Sequence, residues 1–153
     1  ESVFGILTAV IPKARVLDLY AGSGALGIEA LSRGGASCDF VEQNRGACRI
    51  IAENLKKTGC EGGRVIQREV GAFLSSERTS YDLIFADPPY ADGLSDPAGD
   101  LIAIEGWEQW LSKDGFLILE REAAGELPNP KELALVQSKD YGRSRITIYQ
   151  LKS

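Results

Sequence analysis

The stretch from Arg15 to Gly27 constrains the fold more than any other part of the chain. Arg15-Val16-Leu17-Asp18-Leu19 reads as a short strand, Tyr20 to Gly24 as a tight turn, and Ala25 to Arg33 as a helix. The turn carries Gly22-Ser23-Gly24-Ala25-Leu26-Gly27, a GxGxxG that follows a strand directly and opens a helix. Glycine there lets the backbone approach a ligand and exposes the helix N-terminal N–H groups to it.

The rest of the chain repeats the strand-to-helix alternation. Val3, Phe4, Leu7 and Val10 fall at helical spacing before Pro12, and Gly34-Gly35 closes the helix after the turn. Cys38 to Val41 is a second strand. Asn44 caps a helix whose Ala47, Ile50, Ile51 and Leu55 form one apolar stripe, ended by Gly59. Val65 to Gln67 is a third strand and Gly71 to about Glu77 a short helix. Tyr81 to Ala86 holds Leu83-Ile84-Phe85-Ala86, an apolar run suited to a parallel strand covered on both faces. Residues 87–100, with Pro88, Pro89, Gly93, Pro97 and Gly99, read as a long loop, and loops of that length are usually functional. A helix over Ile102 to Leu111 and a strand over Phe116 to Leu119 follow. Leu133 to Lys139 and Arg145 to Leu151 then alternate about Tyr141-Gly142-Arg143, predicting an antiparallel hairpin. The expected fold is a single α/β domain: a Rossmann-like, mostly parallel seven-stranded sheet with helices on both faces.

Composition narrows the chemistry. The 153 residues suffice for one core, and no apolar run approaches the roughly 20 residues that span a bilayer. Nothing at the start reads as a signal peptide, so a soluble cytoplasmic domain is expected; a monomer is expected too. There is no histidine, which removes the usual residue from triad hydrolysis and most transition-metal sites. Cys38, Cys48 and Cys60 form no CxxC pair and read as ordinary thiols; no metal is expected. The net charge of −5 is not that of a basic nucleic-acid-binding domain. Methionine is absent, so the true start is expected upstream of Glu1.

Ligands of open α/β sheets bind beyond the carboxyl ends of the strands. Glu42 ends the second strand, 20 positions after Gly22, where an acid can accept both hydroxyls of an adenosine ribose. The GxGxxG and Glu42 suit a dinucleotide or S-adenosylmethionine (AdoMet) equally. Asp18 favours AdoMet: an acid facing the turn repels a pyrophosphate and suits the cationic amino end or sulfonium. Asp18 could instead only cap the turn through its N–H groups. Glu69-Val70, after the third strand, falls beside the expected adenine, although Glu69 could equally be a helix N-terminal charge. Tyr20, Gln43 and Gly24 complete the expected cofactor set. Asp87-Pro88-Pro89-Tyr90 follows the buried fourth strand. Its prolines stiffen the backbone, so the Asp87 carboxylate and Pro88 carbonyl can take both hydrogens of an exocyclic amine while Tyr90 stacks the base.

Val16-Leu17-Asp18-Leu19-Tyr20-Ala21-Gly22-Ser23-Gly24 followed by Asp87-Pro88-Pro89-Tyr90 resembles the class I AdoMet-dependent amino-methyltransferases. Together with Glu1-Ser2-Val3-Phe4, Gly115 to Glu120 and Tyr141-Gly142, it most resembles the RsmD family, bacterial 16S rRNA (guanine-N2)-methyltransferases of the small ribosomal subunit. The resemblance implies that Asp18, Gly22 and Gly24 line the methionine end of AdoMet, Glu42 the ribose, and Glu69 with Val70 the adenine. Asp87, Pro88 and Tyr90 would hold the target guanine. It also implies a basic, RNA-contacting segment before Glu1, without which RNA methylation should be poor.

Arg45, Arg49, Lys56 and Lys57 on one helix, or Arg143 and Arg145 at the hairpin, are the basic residues that could meet phosphate. Three other functions share parts of this pattern: adenine or cytosine amino-methylation, a nucleotide-dependent oxidoreductase, and a non-catalytic AdoMet- or RNA-binding assembly factor.

Overall fold

Alternation along the strands decides which helices cover which face. Leu17 and Leu19, Ile84 and Ala86, and Leu117 and Leu119 point to one face; Val16, Phe40, Leu83, Phe85 and Ile118 point to the other. The computed structural model describes residues 3–153, with the side chains of Val3 and Phe4 outside the described set. The elements are α1 (Val3–Val10), β1 (Arg15–Leu19), α2 (Ala25–Ser32), β2 (Ser37–Glu42), α3 (Arg45–Thr58), β3 (Gly63–Gln67) and α4 (Val70–Ser76). They continue with β4 (Tyr81–Ala86), α5 (Pro97–Ala103), a 3-10 turn (Trp107–Gln109), β5 (Leu111–Glu122), β6 (Leu133–Tyr141) and β7 (Ser144–Leu151).

The strands form one seven-stranded sheet in the order β3-β2-β1-β4-β5-β7-β6. Pairs from β3 to β5 are parallel, and β7 is antiparallel to both β5 and β6. Apolar residues of α4 and α5 cover the first face, and those of α1, α2 and α3 cover the second.

Two expectations need correction. No helix spans 102–111. Asp96 takes the Gly99 N–H at 3.2 Å and Pro97 occupies the first turn, so α5 starts early and the loop after β4 covers only residues 87–96. Gly106, at φ +106°, then turns the chain, and Glu132 accepts the N–H groups of Gly106 and Trp107 at 2.9 and 2.8 Å. Trp107 and Trp110 pack edge to face with centroids 5.4 Å apart, and β5 begins at Leu111. Second, Ile50 is 48% exposed, because the inward ridge of α3 runs through Cys48, Ile51 and Leu55.

Candidate active site

The chain leaves β1 toward β2 on one side and, after β3, returns to β4 on the other. The carboxyl ends of β1 and β4 therefore open a crevice at the topological switch point. A cavity of about 270 Å³ sits there, walled by Tyr20 after β1, Glu42 and Gln43 after β2, Glu69 and Val70 after β3, and Asp87 after β4. An adjoining hollow of about 370 Å³ shares Tyr20, Glu69 and Val70 and extends to Pro97, Asp100 and Leu101 of α5.

The glycine turn is held by Glu42. Gly22 N–H donates to Glu42 Oε1 at 2.9 Å and Asn44 N–H to Oε2 at 3.0 Å, so one carboxylate ties the turn to the start of α3. Each oxygen keeps a lone pair for a ligand hydroxyl. Tyr20 and Gly22 have φ near +56° and +59°, the left-handed bend that takes the chain off β1. Gly27 serves packing: a Cβ there would run into the Phe40 ring and Cys38 Sγ, so only glycine lets α2 lie flush on β2.

Asp18 is buried beneath this turn, and its Oδ2 accepts the Gly27 N–H at 3.1 Å. Burial pushes its carboxyl up to about 7; the Gly27 N–H opposes this, while Asp87 and Glu42 add repulsion. The Asp87 carboxyl is raised to about 6 by partial burial and by Glu120. Burial and the neighbouring Glu69 and Asp100 raise the Tyr20 phenol. Asp18, Glu42 and Glu120 share one face of the sheet by their alternation with Val16, Phe40 and Ile118. The strand ends thus carry negative charge that a cationic ligand would relieve and a pyrophosphate would worsen.

Six expected residues converge on the cavity: Tyr20, Glu42, Gln43, Glu69, Val70 and Asp87. Four others stand off its wall. Gly22 reaches it through Glu42, Gly24 is buried against Ile51 and Phe40, Asp18 lies below the turn, and Pro88 is buried. Tyr90 faces elsewhere: it is 54% exposed, with its hydroxyl 3.4 Å from Ser144 Oγ at the start of β7. Glu69 proves to be the N-cap of α4, accepting from Gly71 at 2.7 Å and Ala72 at 3.1 Å. The α3 basic residues are exposed, and Arg145 is paired with Asp140 at 2.6 Å.

Sequence reasoning missed Arg68, Asp100 and Glu120, and it gave Pro89, which lines the cavity, only a stiffening role. Arg68 lines the cavity and pins α4 through Ser76 Oγ at 2.8 Å and the Ala72 carbonyl at 3.0 Å. Its adjacency to Glu69 was the available signal. Glu120 lies in a separate apolar slot of about 300 Å³ at the ends of β4 and β5, walled by Leu7, Leu26, Phe85, Ile118, Tyr141 and Ile146. Among the described residues no group of three or more His, Cys, Asp or Glu is placed to hold a metal ion. No helix among them is long and apolar enough to cross a membrane.

The family described as conserved hypothetical protein 95 matches residues 1–150. Ribosomal RNA small subunit methyltransferase D of Escherichia coli K12 is 33% identical over 151 residues, covering 98% of this chain and 75% of the relative. The protein of the same description from Buchnera aphidicola is 31% identical over 150 residues, covering 97% and 77%. A solved structure described as a conserved hypothetical protein of Streptococcus pyogenes superposes with a TM-score of 0.84 at 32% identity, covering 98% of this chain and 93% of that one. With the family match spanning nearly every residue and the strand-end site where the motifs place it, the chain belongs to the RsmD family.

Proposed function

We propose that this chain is an AdoMet-dependent rRNA methyltransferase that methylates the exocyclic N2 amine of a guanine in the 16S rRNA of the small ribosomal subunit. The observation that carries the reading is the placement of Asp87, fixed ahead of two prolines, at the mouth of an acidic crevice. Relatives named as small-subunit rRNA methyltransferases support the substrate class.

The residues present fit AdoMet. Glu42 has lone pairs free for two ribose hydroxyls after taking Gly22 and Asn44. Val70 is a buried apolar surface for an adenine, and Glu69, though it caps α4, keeps an acceptor position for the ring amine. Asp87 and Glu42 each repel Asp18, and a bound cation would offset that repulsion. When bound, AdoMet would supply an electrophilic methyl group and a neutral thioether as its leaving group.

The chain's own residues prepare the amine. The Asp87 carboxylate and Pro88 carbonyl take its two hydrogens and turn its lone pair out of conjugation with the ring. The exposed Tyr90 ring offers a face for a base taken out of its helix. After transfer the nitrogen is cationic and gives its extra proton to Asp87 or to water, so no strong base is needed beforehand.

The test is labelled methyl transfer to small subunits lacking the modification, followed by nucleoside digestion. N2-methylguanosine is the expected product. Label on adenosine or cytidine, or none while AdoMet binds, would replace the reading with another base or a silent binding module.

A further inference from the structure

We infer that Glu120 reads the identity of the target base, accepting the N1–H of guanine inside the apolar slot at the ends of β4 and β5; this rests on the guanine-N2 reading above. The slot is walled by carbon: Leu7 of α1, Leu26 of α2, Phe85, Ile118, Ile146 and the Tyr141 ring. Leu26 and Tyr141 remain 45% and 43% exposed. A flat heterocycle entering there would cover that apolar surface.

Among the described residues, Glu120 is the one carboxylate on this wall. It stands one residue past the Ala86–Leu119 pairing of β4 with β5, opposite Ile146 of β7, and close enough to Asp87 to raise that carboxyl. Ala86 of the slot and Asp87 of the charged cavity are consecutive, so the slot adjoins the methyl-transfer position and the two acids form an adjacent pair of acceptors. That pair selects among bases. Guanine offers adjacent donors, N1–H and the N2 amine. Adenine and cytosine each place an acceptor nitrogen beside their amine, which would face the Glu120 carboxylate without a hydrogen between them. Uracil has a ring N–H but no amine. Mutual repulsion of Asp87 and Glu120 is relieved when both accept from one base, so the same contact that rejects adenine also orients guanine.

The experiment uses an RNA oligonucleotide spanning the guanine that the wild-type protein methylates, and the same RNA with 2-aminopurine there. 2-Aminopurine keeps the amine but has an acceptor at N1. Wild type should prefer guanine by about 100-fold or more in kcat/KM, since a site built to bond a substrate hydrogen strongly rejects the analogue lacking it. Glu120→Gln presents an N–H as well as a carbonyl, so its preference should collapse to within about tenfold, largely by gaining activity on 2-aminopurine. AdoMet affinity should not change. The loss of the guanine carbonyl in 2-aminopurine cannot be rescued in this way.

If Glu120 served only to raise the Asp87 carboxyl, Glu120→Gln would move the pH profile of both substrates together and leave their ratio intact; that result overturns the inference. Equal wild-type rates on the two RNAs would overturn it without any variant. Wild-type label on adenosine or cytidine would overturn the guanine reading itself, and Glu120's role with it.

Discussion

The cavity beside Tyr20 and Glu42 is ringed by charge, with Glu42, Arg68, Glu69 and Asp87 on its walls, whereas the slot beside Phe85 and Ile118 is, among the described residues, carbon with a single carboxylate. Both open at the carboxyl edge of one sheet, but different parts of the chain build them. The charged cavity lies at the ends of the parallel strands β1 to β4, where every strand gives way to a turn and then a helix. The slot needs the hairpin: Tyr141 and Ile146 come from β6 and β7, and Leu7 and Leu26 from the helices on the same face. A parallel edge supplies backbone N–H groups and acids for a polar ligand, while the antiparallel addition supplies an apolar wall. Asp87, one residue past Ala86, is where the two meet.

The sharpest way to break this division is Asp87→Ala. If Asp87 serves the reacting amine, turnover should fall by about 10²- to 10³-fold, the usual cost of removing one such acceptor or donor. Cofactor affinity, measured by calorimetry, should stay within about threefold. Parallel loss of both would make Asp87 a cavity residue only.

Glu42→Ala should do the reverse. Hydrogen bonds to a charged group are each worth about 1.5–3 kcal/mol, so losing the tie to Gly22 and the ribose contact should weaken AdoMet binding about 10- to 100-fold. The guanine to 2-aminopurine preference should persist. A change in that preference would mean that the two hollows are coupled through the glycine turn.

The polar cavity should also respond to pH. A carboxyl that titrates near 7 when folded, against 3.8 ordinarily, holds its proton more tightly in the fold. Without ligand, Asp18 therefore lowers stability as pH rises from about 4 through about 7. A cation favours the ionised form, so AdoMet should bind about tenfold tighter at pH 8 than at pH 6, releasing a proton. Urea melts and calorimetry in two buffers of different ionisation heat would measure both. In Asp18→Asn the stability slope should flatten and most of the affinity slope disappear; an unchanged slope would assign it to other groups.

Much of this was legible in the sequence, for local reasons. Asn44 and Gly59 bound α3 through contacts within a few residues, and Leu83 to Ala86 could only be a buried strand. Tyr20, Glu42 and Asp87 were readable because strand ends in this topology share one edge. What failed was nonlocal. Glu132 starts the 3-10 turn at Trp107 from 25 residues away, and no pattern near 102–111 reports it. Glu120 gave no signal either, because its meaning lies in the apolar residues of five other elements around it. Tyr90 was recognisable as part of a motif, but its orientation toward Ser144 depends on the hairpin.

The smallest expected effect concerns the outer wall of the polar cavity. Asp96 holds the first turn of α5 through the Gly99 N–H, and α5 contributes Pro97, Asp100 and Leu101 to the hollow beside Tyr20. Asp96→Ala should cost about 1 kcal/mol, the usual value of an N-cap, and lower Tm by about 2–4 °C. Because Leu101 and Ile102 remain buried in the core, α5 should fray at its start without detaching. AdoMet binding should weaken by less than about fivefold, within the reach of that 1 kcal/mol, and the preference for guanine should not move. The reverse pattern, a shifted base preference at constant AdoMet affinity, would place α5 on the substrate side and redraw the boundary between the two hollows.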